Sequence, residues 1–294
     1  RHDPRDLRVE VRRAFGLREL SGAVRPPAVA GTFYEGDPES LRRNVSRLLG
    51  TGTPARSSWR ALLLPHAGHV YSGRIAARGV GSVSWPERAI LLGPNHRGAG
   101  AAAALSPASA WATPLGSVPV DRALSEALAA ASSEISWDAR AHAAEHALEV
   151  LLPFLQIARP DLSIACVSIG EPELDLCLEV GRAVARVVLD AEARGERVAV
   201  VVSSDLSHYL PRVTNLAKDE RALEALAGGD PLELFSRVHE RERITMCGVL
   251  PATALLEALR LLGGARAEVL EHGDSSEAFG DESRVVGYAS VVWS

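Results

Sequence analysis

The chain has 294 residues, with 37 acidic against 32 basic side chains, a formal charge of −5, and 47% hydrophobic and 23% charged residues. This is an ordinary globular composition, long enough for about one to two domains and for a core that buries about three quarters of the unfolded surface. No basic tail and no run of about 18 apolar residues occurs, which argues against a nucleic-acid partner and against a membrane-spanning helix.

Residues 1–24 are charge-rich and weakly patterned, and they read as an N-terminal extension ahead of one domain over 25–294. The first 20 residues carry too many charges for a signal peptide, so a cytoplasmic protein is expected. Asp37, Pro38 and the apolar spacing of Leu41, Val45, Leu48 and Leu49 predict an amphipathic helix. Asp37 is its N-cap, Pro38 its first residue and Gly50 its stop. Short apolar runs bounded by turn residues then predict strands at 61–64, 89–92, 164–169, 198–202 and 285–292. Helical spacing appears between them at 120–131, 142–158, 173–193, 217–227 and 251–262. The segment 106–120, with three prolines and Trp111, reads as an ordered surface loop. Alternating strands and helices predict an α/β fold, a single domain with a central, mostly parallel sheet flanked by helices.

The ionisable chemistry falls just beyond strand ends. One strand runs into Pro65-His66-Ala67-Gly68-His69, another into Gly93-Pro94-Asn95-His96, and a third into Ser203-Ser204-Asp205-Leu206-Ser207-His208. In open α/β sheets ligands gather outside the carboxyl ends of the strands, so these segments are expected to share one site. A fourth segment, Thr245-Met246-Cys247-Gly248, precedes a helix whose dipole could stabilise a Cys247 thiolate. Cys166 and Cys177 read as small core residues, and all three thiols as reduced. Imidazole and thiolate together suit Fe, Zn or Cu, with coordination positions left open. Glu145 and Glu149 share a helical face in the 142–158 pattern and, taken alone, read as a solvated surface. No Walker-type phosphate loop or dinucleotide fingerprint is present.

Together these segments resemble the Memo-like proteins, whose bacterial and archaeal members are called AmmeMemoRadiSam system protein B. The matching stretches run in family order from about residue 25. They are Pro26-Pro27-Ala28-Val29-Ala30-Gly31-Thr32-Phe33-Tyr34, Pro65-His66-Ala67-Gly68 with Tyr71-Ser72-Gly73, Gly93-Pro94-Asn95-His96, and Thr113-Pro114-Leu115-Gly116. Next come Glu145-His146 through Pro153-Phe154-Leu155, the 203–209 segment, Thr245-Met246-Cys247-Gly248 and Val285-Val286-Gly287-Tyr288. The resemblance implies a fold like that of the class III extradiol ring-cleaving dioxygenases. It also implies metal ligation by His66, His96 and Cys247, with Asp205 and His208 as further site residues and His208 the group for proton transfer. His69 stands where the family commonly has Tyr, which adds an imidazole or changes a substrate contact. Ala147 and Leu151 make the wall that carries Glu145 and His146 more apolar than usual.

The expected function is a dioxygenase-like oxidoreductase with Fe(II) as the favoured metal and Zn or Cu as alternatives. Its partners would be a small, aromatic or other, substrate and O2. His208, Asp205, His69, His146 and Glu145 are the catalytic candidates. The competing expectations are a metal- or peptide-binding module without turnover, and a zinc-dependent hydrolase.

Overall fold

The computed structural model describes residues 22–51 and 56–294. Most of the expected N-terminal extension, up to residue 21, lies outside the described residues. In chain order the elements are β1 (Val24–Arg25), α1 (Pro38–Leu49), β2 (Ala61–Leu64), α2 (His69–Gly81), β3 (Arg88–Pro94), β4 (Ala103–Leu105), β5 (Ala110–Thr113) and β6 (Gly116–Pro119). They continue with α3 (Arg122–Ala131), β7 (Ile135–Trp137), α4 (Arg140–Ala143), a 3-10 turn (Glu149–Leu151), α5 (Leu152–Ala158), β8 (Ser163–Ile169), α6 (Leu174–Ala193), β9 (Val198–Ser203) and β10 (His208–Leu210). The rest comprises α7 (Arg212–Gly228), α8 (Pro231–Leu234), a π-helical turn (Phe235–Arg241), α9 (Val249–Leu261), β11 (Ala267–Asp274), α10 (Ser276–Phe279) and β12 (Val285–Trp293). No described helix is long and apolar enough to cross a membrane.

The main sheet has the order β10-β12-β2-β9-β3-β8-β4-β7, with β11 paired to β12. Its centre, β2, β9, β3 and β8, is parallel, and the flanking pairs β12–β2 and β4–β8 are antiparallel. The sheet is therefore mixed around a parallel core. Both faces of the central strands are covered, which is why they read as unbroken apolar runs. Alternate residues divide between two cores. Leu63, Leu92, Val167 and Val202 pack with α3, α6, α7 and α9 on one face. Leu62, Leu91, Cys166 and Val201 pack with α1, α2 and α5 on the other. Cys166 and Cys177 are buried core residues.

Helix α1 has the expected caps: the Asp37 carboxylate accepts from Ser40 N, Pro38 starts the helix and Gly50 ends it. Three sequence expectations are corrected. The helix expected over 142–158 is broken, because α4 stops at Ala143, residues 144–148 form a turn, and α5 resumes at Leu152. The cause is Glu145, whose carboxylate accepts from the backbone N–H groups of His146 and Ala147, an alternative to continuing the helical ladder. Nor is Glu145 or Glu149 on a solvated face, since both are buried. The segment 106–120 is not the ordered surface loop expected: β5 and β6 form a hairpin that joins β1 in a three-stranded sheet and buries Trp111.

Helix α2 carries no strong helical signal because glycines interrupt it, and Gly79 is there for space. A Cβ at that position would collide with the Leu64 side chain on the sheet beneath.

Candidate metal centre

Strands β2, β9 and β3 are adjacent and parallel in the middle of the sheet, so their carboxyl ends deliver the segments after Leu64, Ser203 and Pro94 to one place. The Cys247 loop joins them from the start of α9. Gly248 allows the close approach: a Cβ there would collide with Ser204 and lie 2.6 Å from the Ser203 carbonyl. Single donor atoms from His66, His96 and Cys247 all lie within 4.8 Å of one another. The His66 Nε2 atom is 3.3 Å from Cys247 Sγ, and the His66 and His96 rings meet edge-on with centroids 5.2 Å apart.

Each ligand side chain is held from behind. His96 Nδ1 is 2.9 Å from Glu145 Oε1, and the His96 backbone N–H donates to Glu145 Oε2 at 2.7 Å. An ionised carboxylate only accepts, so Nδ1 carries the proton and Nε2 keeps its lone pair for a ligand. Burial opposes ionisation of Glu145, but the His96 contact and the Ala147 N–H prevail and hold its pKa at about 2. The backbone N–H groups of His66 and Ala67 both donate to Asp205 Oδ1, at 2.8 and 3.3 Å, and Asp205 N–H donates to Cys247 Sγ at 3.2 Å. Asp205 therefore ties the His66 loop to the Cys247 loop. Burial pushes its carboxyl up from the ordinary range.

The expected stabilisation of a Cys247 thiolate by the helix start is corrected. Burial, reinforced by the Asp205 carboxylate, pushes the thiol well above its usual range. The first N–H of the turn, Gly248 N, donates to Ser204 Oγ and not to sulfur. His66 is pushed well below the usual imidazole range by burial and by its neighbour His96, which keeps it neutral. Two imidazoles and a thiol lacking a counter-charge fit a divalent first-row metal, whose charge deprotonates a coordinating thiol. The fit to such an ion comes from this donor chemistry.

His96, Glu145 and His146 form a second group of converging donors. It suits a ligand-orienting role better than a second ion, because Glu145 already accepts four hydrogen bonds from His96, His146 and Ala147. His146 stacks on His96 with centroids 4.6 Å apart and meets His66 edge-on at 5.4 Å. Burial and the neighbouring His66 lower its pKa to about 4. It therefore presents a neutral ring to the site. His208, half-buried at the start of β10, has Nδ1 2.7 Å from the Thr245 carbonyl, and its own N–H donates to Thr245 Oγ1. Since a carbonyl only accepts, the proton sits on Nδ1 and Nε2 is the basic atom. The two non-glycine residues with positive φ, Tyr209 (60°) and Arg243 (47°), flank this clamp among the described residues.

His69 is not brought to the converging donors. Its ring is buried between Tyr34 and Phe154, and Nε2 lies 3.0 Å from the Val150 carbonyl. It serves the packing of α2 against α5 and is not the extra site imidazole that its position in the sequence suggests.

Among the residues that close this side of the molecule, Arg25 carries no sequence signal and Glu149 reads from the sequence as solvated, not buried. Arg25 pairs with the fully buried Glu149 at 2.7 Å and donates to the backbone carbonyls of His142 and Glu145. Glu149 also accepts from Ala28 N, Val29 N and the Tyr34 hydroxyl. The pair pins the 25–34 segment onto the turn that carries Glu145 and His146. Next to it, His142 Nε2 faces the Ala104 carbonyl at 3.0 Å, and burial lowers its pKa from 6.5 to about 4.

Because the folded value lies below the unfolded one, the unfolded chain takes up this proton first as pH falls. The His142 contribution is intact above pH 6.5 and lost between 6.5 and 4. That loss is on the order of 3 kcal/mol. Urea unfolding of His142→Gln at a series of pH values is expected to show a shallower decline through this window than the wild type. Parallel declines would contradict the assignment.

Comparison with known proteins follows the same outline. The family model described as Memo-like protein matches residues 25–292. A MEMO1 family protein from Methanothermobacter thermautotrophicus is 37% identical over 279 residues, covering 91% of this chain and 99% of the relative. One from Aquifex aeolicus is 36% identical over 271 residues, covering 92% and 99%. The crystal structure of an uncharacterized protein from Escherichia coli K12 superimposes with a TM-score of 0.57 at 17% identity, covering 80% of this chain and 99% of that one, which is a likeness of fold.

Proposed function

The chain belongs to the Memo-like family, and from that premise we propose that it is a metal-dependent, dioxygenase-like oxidoreductase acting with Fe(II) and O2 on a small aromatic substrate. The observation that carries the reading is the convergence of His66, His96 and Cys247 at the carboxyl ends of the central strands. Two imidazole nitrogens and one sulfur leave positions open on an ion, the arrangement used for substrate-binding metals rather than closed structural ones. Fe(II) bound there would supply a redox-active Lewis acid at which substrate and O2 meet, with O2 the oxidant and both its atoms entering the product.

The chain's own residues would do the rest. Glu145 orients His96, and Asp205 fixes the spacing of the His66 and Cys247 loops. His208 presents Nε2 as the base that removes a substrate proton, its ring held by Thr245. His146, neutral and stacked on His96, offers a flat partner for an aromatic ring.

The test is O2 uptake by the iron-loaded chain against catechols, aminophenols and indoles. Substrate-dependent uptake is expected, with His208→Ala slowing it roughly 10²–10⁴-fold while iron content stays unchanged. No uptake with any of these compounds would move the reading to a metal-binding role without turnover.

A further inference from the structure

We propose that Ser203 is a positioning residue that fixes the His66 ring, itself anchored to the turn that orients His96. The inference rests on reading His66, His96 and Cys247 as metal ligands. Ser203 ends β9, is fully buried, and lies in register beside Leu64 on β2, the strand that runs into His66. Its hydroxyl has one proton to give, and the Ala147 carbonyl, 2.6 Å away, is a group that only accepts. The same oxygen is 2.7 Å from His66 Nδ1. With its proton committed to Ala147, Ser203 Oγ can only accept from that nitrogen, so Nδ1 carries the ring proton. The neutral ring is then bare at Nε2, the atom facing Cys247 Sγ at 3.3 Å. The opposite tautomer would set two lone pairs against each other at Ser203 and put an N–H where the metal is to bind.

Ala147 belongs to the 144–148 turn, whose Glu145 accepts from His96 Nδ1. One turn thus aims both rings, His96 directly through the Glu145 carboxylate and His66 through the Ser203 hydroxyl. Partners that orient metal-bound imidazoles in this way are typically worth about 10–100-fold in metal affinity.

The test uses the full chain, metal-free and labelled with ¹⁵N-histidine, with the His66 signals assigned by comparison with His66→Asn. Nitrogen shifts report the tautomer, and titration with Co(II) reports affinity. In the wild type the proton is expected on Nδ1. Ser203→Ala is expected to move it to Nε2 or divide it between the two nitrogens, and to weaken Co(II) binding about 10–100-fold. Ser203→Thr, which keeps the hydroxyl, is expected to restore both. A wild-type ring protonated on Nε2 would overturn the proposal without any variant having to fold, as would Ser203→Ala with tautomer and affinity unchanged. A tautomer change in Ser203→Ala with no Co(II) binding by the wild type would support the role of Ser203 and remove the metal reading instead.

Discussion

Glu149→Ala is expected to be the most destabilising single change in this protein, at about 3–5 kcal/mol, because it strands the buried Arg25 guanidinium. Glu149 has no solvent exposure, and its carboxylate accepts four hydrogen bonds, from Arg25, Ala28 N, Val29 N and the Tyr34 hydroxyl. Each of those donors would lose its partner in a space too enclosed for water to reach freely. The loss would not spread evenly. Arg25 also lies over the Trp111 ring at 4.1 Å and holds the carbonyls of His142 and Glu145, so the 25–34 segment and the site-bearing turn should loosen together. Calorimetry is expected to show Tm lowered by roughly 5–10 °C. Replacing both partners by apolar residues should recover part of the loss, since the penalty comes mainly from the orphaned charge. A Glu149→Ala variant whose Tm stays within about 2 °C of the wild type would contradict the buried pair.

The second large effect is expected from Cys247→Ala, which should weaken binding of Fe(II), Co(II) or Zn(II) by more than about 100-fold, beyond the usual cost of losing an orienting partner. Cys247 supplies the one group among the three donors that becomes anionic, and its sulfur lies 3.3 Å from His66 Nε2. The variant should fold, because the Ser204 hydroxyl still joins Gly248 N to the Asp205 carbonyl and Asp205 still accepts from His66 N, the Asp205 N–H alone losing its sulfur partner. Melting temperature and metal affinity therefore separate: affinity collapses, while the metal-free chain loses only a few degrees of Tm for the one unpaired Asp205 N–H. Metal titration of the purified variant checks this, and wild-type affinity in Cys247→Ala would contradict the ligand assignment.

Much of this architecture is legible in the sequence, for reasons particular to its elements. The strands β2, β3, β8 and β9 are covered on both faces and so read as continuous apolar runs bounded by turn residues. The Asp37-Pro38 start and Gly50 stop of α1 are local chemistry and need no tertiary knowledge. Helix α2 was not legible, because the glycine that lets it sit close to Leu64 also dilutes its apolar spacing. The break at 144–148 was hidden because Leu148, Leu151, Leu152 and Leu155 keep a helical period across it. What bends the chain is the Glu145 carboxylate, which serves His96 across 49 positions of sequence as well as its own neighbours.

At the site, histidines beyond strand ends and a cysteine before a helix could be named from the sequence, and the structure brings His66, His96 and Cys247 together. Of their supports, Glu145 and Asp205 could be named as site residues, but others could not. Arg25 and Glu149 are 124 positions apart, and Ser203 touches His66 across 137. Nothing local in a serine or an arginine announces such a partner. His69 failed for the converse reason: adjacency in sequence to the site loop says nothing about which way the first turn of α2 points its ring, and here it points to Val150.

The most direct test of the metal centre is elemental analysis of the wild-type chain purified without oxygen, joined to X-ray absorption at the edge of whichever metal is found. The expected result is about one equivalent of a first-row transition metal per chain, with sulfur in its first shell at roughly 2.3 Å alongside nitrogen donors. Protein that holds no metal after such purification and binds none when offered Fe(II) or Zn(II), or a bound metal surrounded by oxygen and nitrogen alone, would contradict the His66, His96 and Cys247 site.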